Sequence, residues 1–463
     1  MSGARANHNG AVRGACPGVA APMASGDGLL LRLRHPIGGW TPAQVGAVAQ
    51  VAEEYGNGAL ELTVRGNLQL RGVRPATLTG AQNALVAAGV ADSDPDREAV
   101  RNVLAAPATD LDPDAVTDIT PVARAVADGI AADTALHRLP AKTGVVVDGG
   151  GVTGIACVHA DLRLDAVTCD HGGLRYRLSI GGRGADAVPL GRVAPEQAAV
   201  AARRVLARLL DDDPPRRMAA ALAERGVAPF QDALAELAEP AGTVPVPAVG
   251  PPAPGVAPHG AWVHAAFPFG ALNAAQLRQL AVVAERHAAT GGTPTLRLTP
   301  WRSVLLAGVG VAALEPLAAL GVITEPADPR LGLGACVGAP GCASGTTATR
   351  NDALVLEAAM PALLAAGERL HVSGCGKGCG APACAAVMLV ADGEHYAVTL
   401  SGGIAAAPDW PAAPLAVVHR RLMALDAVFA RERQTPQETL NDLINRLGRD
   451  GVVRRVEEED WHA

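Results

Sequence analysis

GDGLLLRLRHPIGGWTPAQVGAVAQVAEEYGNGALELTVRGNLQLRGV, residues 26–73, decides the fold, because the chain writes it twice. The second copy is HGAWVHAAFPFGALNAAQLRQLAVVAERHAATGGTPTLRLTPWRSVLLAGV, residues 259–309. Both read as a strand, a Pro/Gly loop, an amphipathic helix, a Gly turn and a second strand segment. In the first copy Thr41 is the expected N-cap of a helix running to Tyr55, with Val45, Val48, Ala49 and Ala52 at helical spacing. Asn273 takes the matching cap in the second copy. The closing segments, LTVRGNLQLRGV and LTPWRSVLLAGV, align without a gap. Self-similarity of this kind marks a duplicated structural unit.

The repeat reaches outward from these segments. VRNVLAAPATDLDP (100–113) parallels GACVGAPGCASG (334–345), and RYRLSIGG (175–182) parallels HYAVTLSGG (395–403). Each half is therefore expected to hold a small α/β half-domain followed by a larger α/β module. The expected boundaries are a disordered N-terminus over 1–24, half-domains over 25–85 and 259–325, and modules over 95–238 and 330–410. A Pro-rich linker over 239–258 divides the halves. A helical tail over 411–463 closes the chain, charged and peripheral from about Pro436. Two such halves in pseudo-twofold relation leave a cleft suited to a large flat ligand.

Composition narrows the classes. Apolar residues make up 49% but aromatics only 3%, so the cores are built from Ala, Val and Leu. A net charge of −7 gives no basic field for nucleic acid. No apolar run is long enough to cross a bilayer, and no secretory leader is expected. The expectation is a cytoplasmic protein with reduced thiols. Among 39 basic residues only Lys142 and Lys377 are lysines. Lysine is a compact point charge that arginine does not replace in tight space.

Four cysteines carry the chemistry. Cys336 and Cys342 in ACVGAPGCAS, then Cys375 and Cys379 in SGCGKGCGAP, form C-x5-C, 32 intervening residues, and C-x3-C. Small residues let the backbone wrap closely around a bulky inorganic ligand. Four thiolates from two such loops suit a cubane iron–sulfur cluster, whereas structural zinc favours tighter C-x2-C to C-x4-C loops. Cys16, Cys157, Cys169 and Cys384 are scattered, and Cys384 lies nearest the motif.

With the cysteine loops, the duplication, TVRGNLQLRG, RNVL and LPAKTGVVVDGG, the chain resembles the nitrite/sulfite reductase superfamily from about Gly26 to Pro408. That resemblance implies an α+β fold of two ferredoxin-like half-domains and two larger α/β modules in pseudo-twofold relation. It implies a [4Fe-4S] cluster on Cys336, Cys342, Cys375 and Cys379, the last of which bridges to sirohaem iron in the reductases. It places Arg65, with Gln69 on the same face, and Lys142 at the catalytic site. Reductases usually read K-x-K where this chain has Lys142-Thr143-Gly144, so one cation is missing. That departure, with VVVDGGG and RLTPWRS, resembles instead the cobalamin-pathway branch, the precorrin-3B synthase family.

This branch implies a monooxygenase. It hydroxylates the tetrapyrrole-derived precorrin-3A at C20 with O2 and forms a lactone from an acetate side chain. The resemblance also implies a non-haem iron beside the cluster and electrons from a separate NADH-linked donor. No G-x-G-x-x-G opens a helix after a strand. Arg71 and Arg302 are further candidate counter-ions for the carboxylates, on charge and strand position alone. His137, His259, His264 and His371 are candidate iron ligands in name only. The alternative is a sirohaem-dependent nitrite or sulfite reductase with haem-type binding at Cys379. A third reading is an electron carrier without a substrate.

Overall fold

The computed structural model describes residues 17–169, 172–242, 250–289 and 292–462. Its architecture is the repeat made visible. The first half-domain sheet runs Met23–Ser25, Gly28–Leu33, Leu68–Val73, Ala59–Leu62 and, fifth, Ala271–Asn273 from the other half. The second runs Gly255–Val256, Trp262–Ala266, Ser303–Ala307 and Thr295–Leu298. The exchange is reciprocal: Leu272 pairs with Leu60, and Trp40 bridges Leu296. Both lending segments lie just before the capped helix of their own copy.

Those helices form as the caps dictate. Pro42–Tyr55 starts at Thr41 and Ala274–Arg286 at Asn273, each with a full capping box to Gln44 or Gln276. The two helices pack together in one core shared by both half-domains. Their buried stripes include Ala49, Ala52, Ala281 and Ala284, small residues that let the backbones approach. Both closing segments turn identically. Thr63 N–H donates to Asn67 O at 2.9 Å, and Thr299 N–H to Ser303 O at 3.0 Å. Gly66 (φ +59) and Arg302 (φ +58) hold the same left-handed position. Glycine meets that demand freely, whereas arginine holds it under strain.

The larger modules share one topology. In the first, Val103–Ala105, Val145–Asp148 and Ala160–Thr168 are parallel, and Leu174–Gly182 and Val188–Val193 follow antiparallel. In the second, Leu333–Ala335, Leu370–Ser373, Ala385–Asp392, His395–Gly402 and Trp410–Ala413 repeat that order and polarity. Tyr176 and Tyr396 occupy matching buried positions.

Three expectations about the segments at the chain's ends and middle need amendment. Residues 1–16 lie outside the described set, but Val19 is buried and Met23–Ser25 is a strand. Of the Pro-rich linker, 243–249 lies outside the described residues. On either side, Glu239 exchanges backbone bonds with Arg192 and Gly255–Val256 is an edge strand. The C-terminal end is not peripheral. Leu440, Leu443, Ile444, Val452 and Val456 are buried in the core of the second module, together with Phe429 of the helix Leu415–Glu432. A leucine-to-alanine change in such a core costs about 2–5 kcal/mol. Among the described residues no helix is long and apolar enough to cross a membrane.

Candidate functional site

Parallel neighbours decide where the cysteines meet. Leu333–Ala335 and Leu370–Ser373 run side by side, so the loops leaving their carboxyl ends emerge on the same edge. Cys336 opens the first loop and Cys375 lies in the second. Gly374 N–H points at Cys336 Sγ at 3.2 Å, and Thr346 N–H donates to Gly374 O at 3.2 Å. Lys377 Nζ donates to Ser344 Oγ at 2.7 Å, tying one loop to the other. Within the first loop Cys342 N–H donates to Gly338 O at 2.8 Å. Gly338 is irreplaceable there: φ is +63 and a Cβ would stand 2.5 Å from Thr347 O.

The four thiols share one electrostatic neighbourhood. Burial pushes the Cys379 thiol up, and the charges of Cys375, Cys342 and Cys336 push it further, with Lys377 opposing. Four thiolates in one neighbourhood repel one another unless a cation-rich group lies between them. Yet among the described residues no three His, Cys, Asp or Glu converge as they do around a single ion. Sulfurs bound to one zinc at about 2.3 Å would crowd together, whereas a cubane spreads its ligands over four irons. The donor set, the N–H aimed at a sulfur and the glycine-lined turns fit such a cluster.

The same loops in the first module are built differently. Ala106 stands where Cys336 does. Asp112 Oδ2 accepts from Val152 N at 2.7 Å, and Asp148 accepts from Gly150 N and Ile155 N at 2.9 Å each. Carboxylates stitch this pair of loops, with fully buried Arg163 beside Asp148 and Asp165.

The first half-domain supplies cations. Arg32, Arg34, Arg65, Asn67, Asn102, Lys142 and Arg217 line one cavity of about 160 Å³. Arg65 sits on the turn between Ala59–Leu62 and Leu68–Val73, not in a strand as its motif suggested. Gln69 lies in the strand: its amide, turned to satisfy both neighbours, donates to Glu61 and accepts from Arg32. Gly144 is the informative residue here. A Cβ on it would lie 2.6 Å from Arg65 Nη1 and 3.3 Å from Asn102 Nδ2. The Arg65 guanidinium fills the space that any side chain at 144 would need.

Glu61 joins this pocket to the cysteine module. It is buried and pairs with Arg350 at 2.6 Å and with Arg71 at 3.4 Å. Arg71 is also buried. It binds Asp27 through two bonds of 2.9 Å, Ser25 Oγ at 2.8 Å and Gly341 O at 2.6 Å, next to Cys342. Its donors are spent on the protein, so it anchors the first cysteine loop. Arg302 reaches the second loop: a Cβ on Gly380 would meet its Nη2 at 2.6 Å. Burial presses its guanidinium toward a lower pKa, Glu61 opposes this and Arg350 adds to it.

The four histidines do not assemble an iron site. His137 Nε2 faces Ala131 O at 3.0 Å, and His259 is exposed. His264 contacts Ala253 O and Ser303 Oγ. His371 is buried, and burial with the Arg302 charge lowers its pKa to about 4. Residues for a mononuclear non-haem iron are thus not brought together among the described residues.

Two half-domains exchanging strands and two matched modules, one bearing a four-thiol site, define a duplicated, cluster-type fold. The family description "Nitrite/Sulfite reductase ferredoxin-like half domain" matches residues 21–88 and 257–320. "Nitrite and sulphite reductase 4Fe-4S domain" matches 97–237, the module that lacks the four cysteines. A precorrin-3B synthase from Sinorhizobium sp is 31% identical over 402 residues, covering 84% of this chain and 83% of that protein. The ferredoxin–nitrite reductase of Synechococcus elongatus is 26% identical over 396 residues, covering 78% and 76%. The solved structure of Mycobacterium tuberculosis NirA protein superposes with a TM-score of 0.70 at 19% identity, covering 92% of this chain and 84% of that one. The chain belongs to the nitrite/sulfite reductase superfamily, in the precorrin-3B synthase family.

Proposed function

We propose that this protein is an oxidoreductase of the precorrin-3B synthase type, a monooxygenase acting on precorrin-3A in aerobic cobalamin biosynthesis. One atom of O2 enters the macrocycle, giving a C20 hydroxyl and a lactone closed by an acetate carboxylate. The other atom leaves as water, with two electrons and two protons from a separate NADH-linked donor. Cys336, Cys342, Cys375 and Cys379 would hold a [4Fe-4S] cluster, which when bound supplies electrons singly.

The observation that carries this reading is Gly144. Where reductases place a second lysine, this chain has no side chain, and Arg65 occupies the space. A pocket for a small oxyanion loses a cation, and the space goes to the Arg65 guanidinium, whose planar fork suits a ligand carboxylate. Arg32, Arg34, Arg65 and Lys142 face the carboxylate rim of the macrocycle, and Asn67 and Asn102 add amide donors. Arg71 and Arg302 serve the cysteine loops instead.

The test is anaerobic purification with iron, sulfide and tetrapyrrole quantitation, followed by turnover of precorrin-3A under ¹⁸O₂. One labelled oxygen in the product and one in water is expected. Intense sirohaem absorption with six-electron reduction of sulfite or nitrite would overturn the reading. Zinc in place of iron and labile sulfide would remove the cluster.

A further inference from the structure

The repeat puts a second concavity where the cationic pocket has its counterpart. Arg32 pairs with Gln69, and His264 with Leu305, at matching points of the two hairpins. In that register Arg32, Arg34, Arg65 and Asn67 correspond to His264, Ala266, Trp301 and Ser303. All four counterparts line one cavity of about 480 Å³, against about 160 Å³ in the first half.

The second cavity has changed its chemistry. Trp301, Phe267, Phe269 and Leu333 give it aromatic and aliphatic walls. His264 contributes a neutral ring: Nδ1 faces Ala253 O at 3.1 Å, Nε2 faces Ser303 Oγ at 2.6 Å, and burial lowers its pKa. The cations come from new positions. Arg369 is exposed at the rim, Arg330 is paired with Asp328, and Arg302 leaves its buried Nε without a partner. The Trp301 indole N–H is likewise buried and unpartnered. Flat apolar walls beneath an exposed guanidinium favour a ligand with a planar apolar body and an anionic group. The volume lies in the lower half of the range for small-molecule pockets, roughly 300–1,000 Å³. That is the scale of a mononucleotide.

We propose that this cavity binds a planar heteroaromatic ring bearing a phosphate or carboxylate. The ring lies against Trp301 and the phenylalanines, and the anion meets Arg369 at the exposed rim. The site is independent of the macrocycle reading.

Full-length protein is titrated with flavin mononucleotide by fluorescence and with adenosine 5′-monophosphate by calorimetry. Saturable binding of at least one, at one site per chain, is expected. Arg369→Ala should raise Kd about tenfold, the loss of one exposed charge-assisted contact. Leu331→Trp, which fills the cavity from its 37% exposed rim position, should abolish binding. Lys142→Ala should leave it unchanged. Both rim residues are exposed enough that the fold tolerates the changes, which circular dichroism checks. The proposal fails if neither nucleotide saturates below millimolar concentration, or if binding survives both rim substitutions. It also fails if Lys142→Ala abolishes binding, which would put the ligand in the cationic pocket.

Discussion

Replacing Arg71 with methionine tests whether charge holds the first cysteine loop to the first half-domain. Methionine keeps the apolar stem but offers no donor. Removing one partner from a buried ion pair costs about 3–5 kcal/mol when the other charge is stranded. Here the stranding is partial. Glu61 keeps Arg350 at 2.6 Å, and Asp27 keeps Asn57 at 3.1 Å and a side chain 17% exposed. The cost therefore falls to about 2–3 kcal/mol, concentrated on Asp27 and the Gly341 carbonyl. Local opening should absorb most of it. Amides of residues 336–345 should exchange about 30- to 150-fold faster with solvent deuterium, and iron should be lost faster on dialysis. Acid adds a signature. Burial pushes the Asp27 carboxyl up, but the hydrogen bond and charge of Arg71, with Asn57, hold it below its ordinary value. A depressed carboxyl stabilises the fold above its unfolded pKa, about 3.9, and loses that contribution as pH falls through the folded value. The variant should lack this acid-dependent loss. Exchange within threefold of the parent at residues 336–345 would refute the anchoring role.

Three further outcomes are expected. Gly144→Ala should displace Arg65 and weaken macrocycle binding about tenfold, the loss of one charge-assisted contact, while iron content stays full; unchanged affinity in a fluorescence titration would remove Arg65 from the rim contacts. Burial, with the Arg297 charge, lowers the His35 pKa to about 3. Below pH 6.5 the unfolded chain takes a proton that the native ring refuses, so stability falls from about pH 6.5 to pH 3. His35→Gln, which still accepts from Leu298 N–H, should flatten that slope in urea titrations, and an unaltered slope would assign it to other groups. Deleting residues 436–463 uncovers buried Leu422, Leu425 and Phe429 and should give aggregated protein without iron; a soluble, iron-replete product by size-exclusion chromatography would show the tail to be dispensable.

Much of the fold was legible because its signals are local. Thr41 and Asn273 announce their helices through side-chain chemistry a few residues long, and both capping boxes form. The hairpin register follows from the gapless match of residues 62–73 with 298–309. What escaped depends on distant partners. Arg71 alternates along its strand like a ligand-facing residue, yet Gly341, 270 positions away, claims it. Arg302 aligns with Gly66, which says where its backbone turns but not that its guanidinium reaches Gly380. The C-terminal helices did carry a readable sign. Leu440, Leu443, Ile444 and Leu447 make an i, i+3, i+4, i+7 stripe, set among charges that favour an exposed helix. The resemblance sets Arg65 on a strand, whereas the left-handed turn at Gly66 puts it at the pocket mouth.

The borrowed strand Ala271–Asn273 and its mirror bridge at Trp40 have an evolutionary corollary. Once each copy completed the other's pleated edge, neither was dispensable for stability, and an ancestor could no longer shed one of them. A copy retained as architecture is free to drift in chemistry. In the present chain one copy carries sulfur at its loop tips, and in the other Asp112 and Asp148 tie the loops instead.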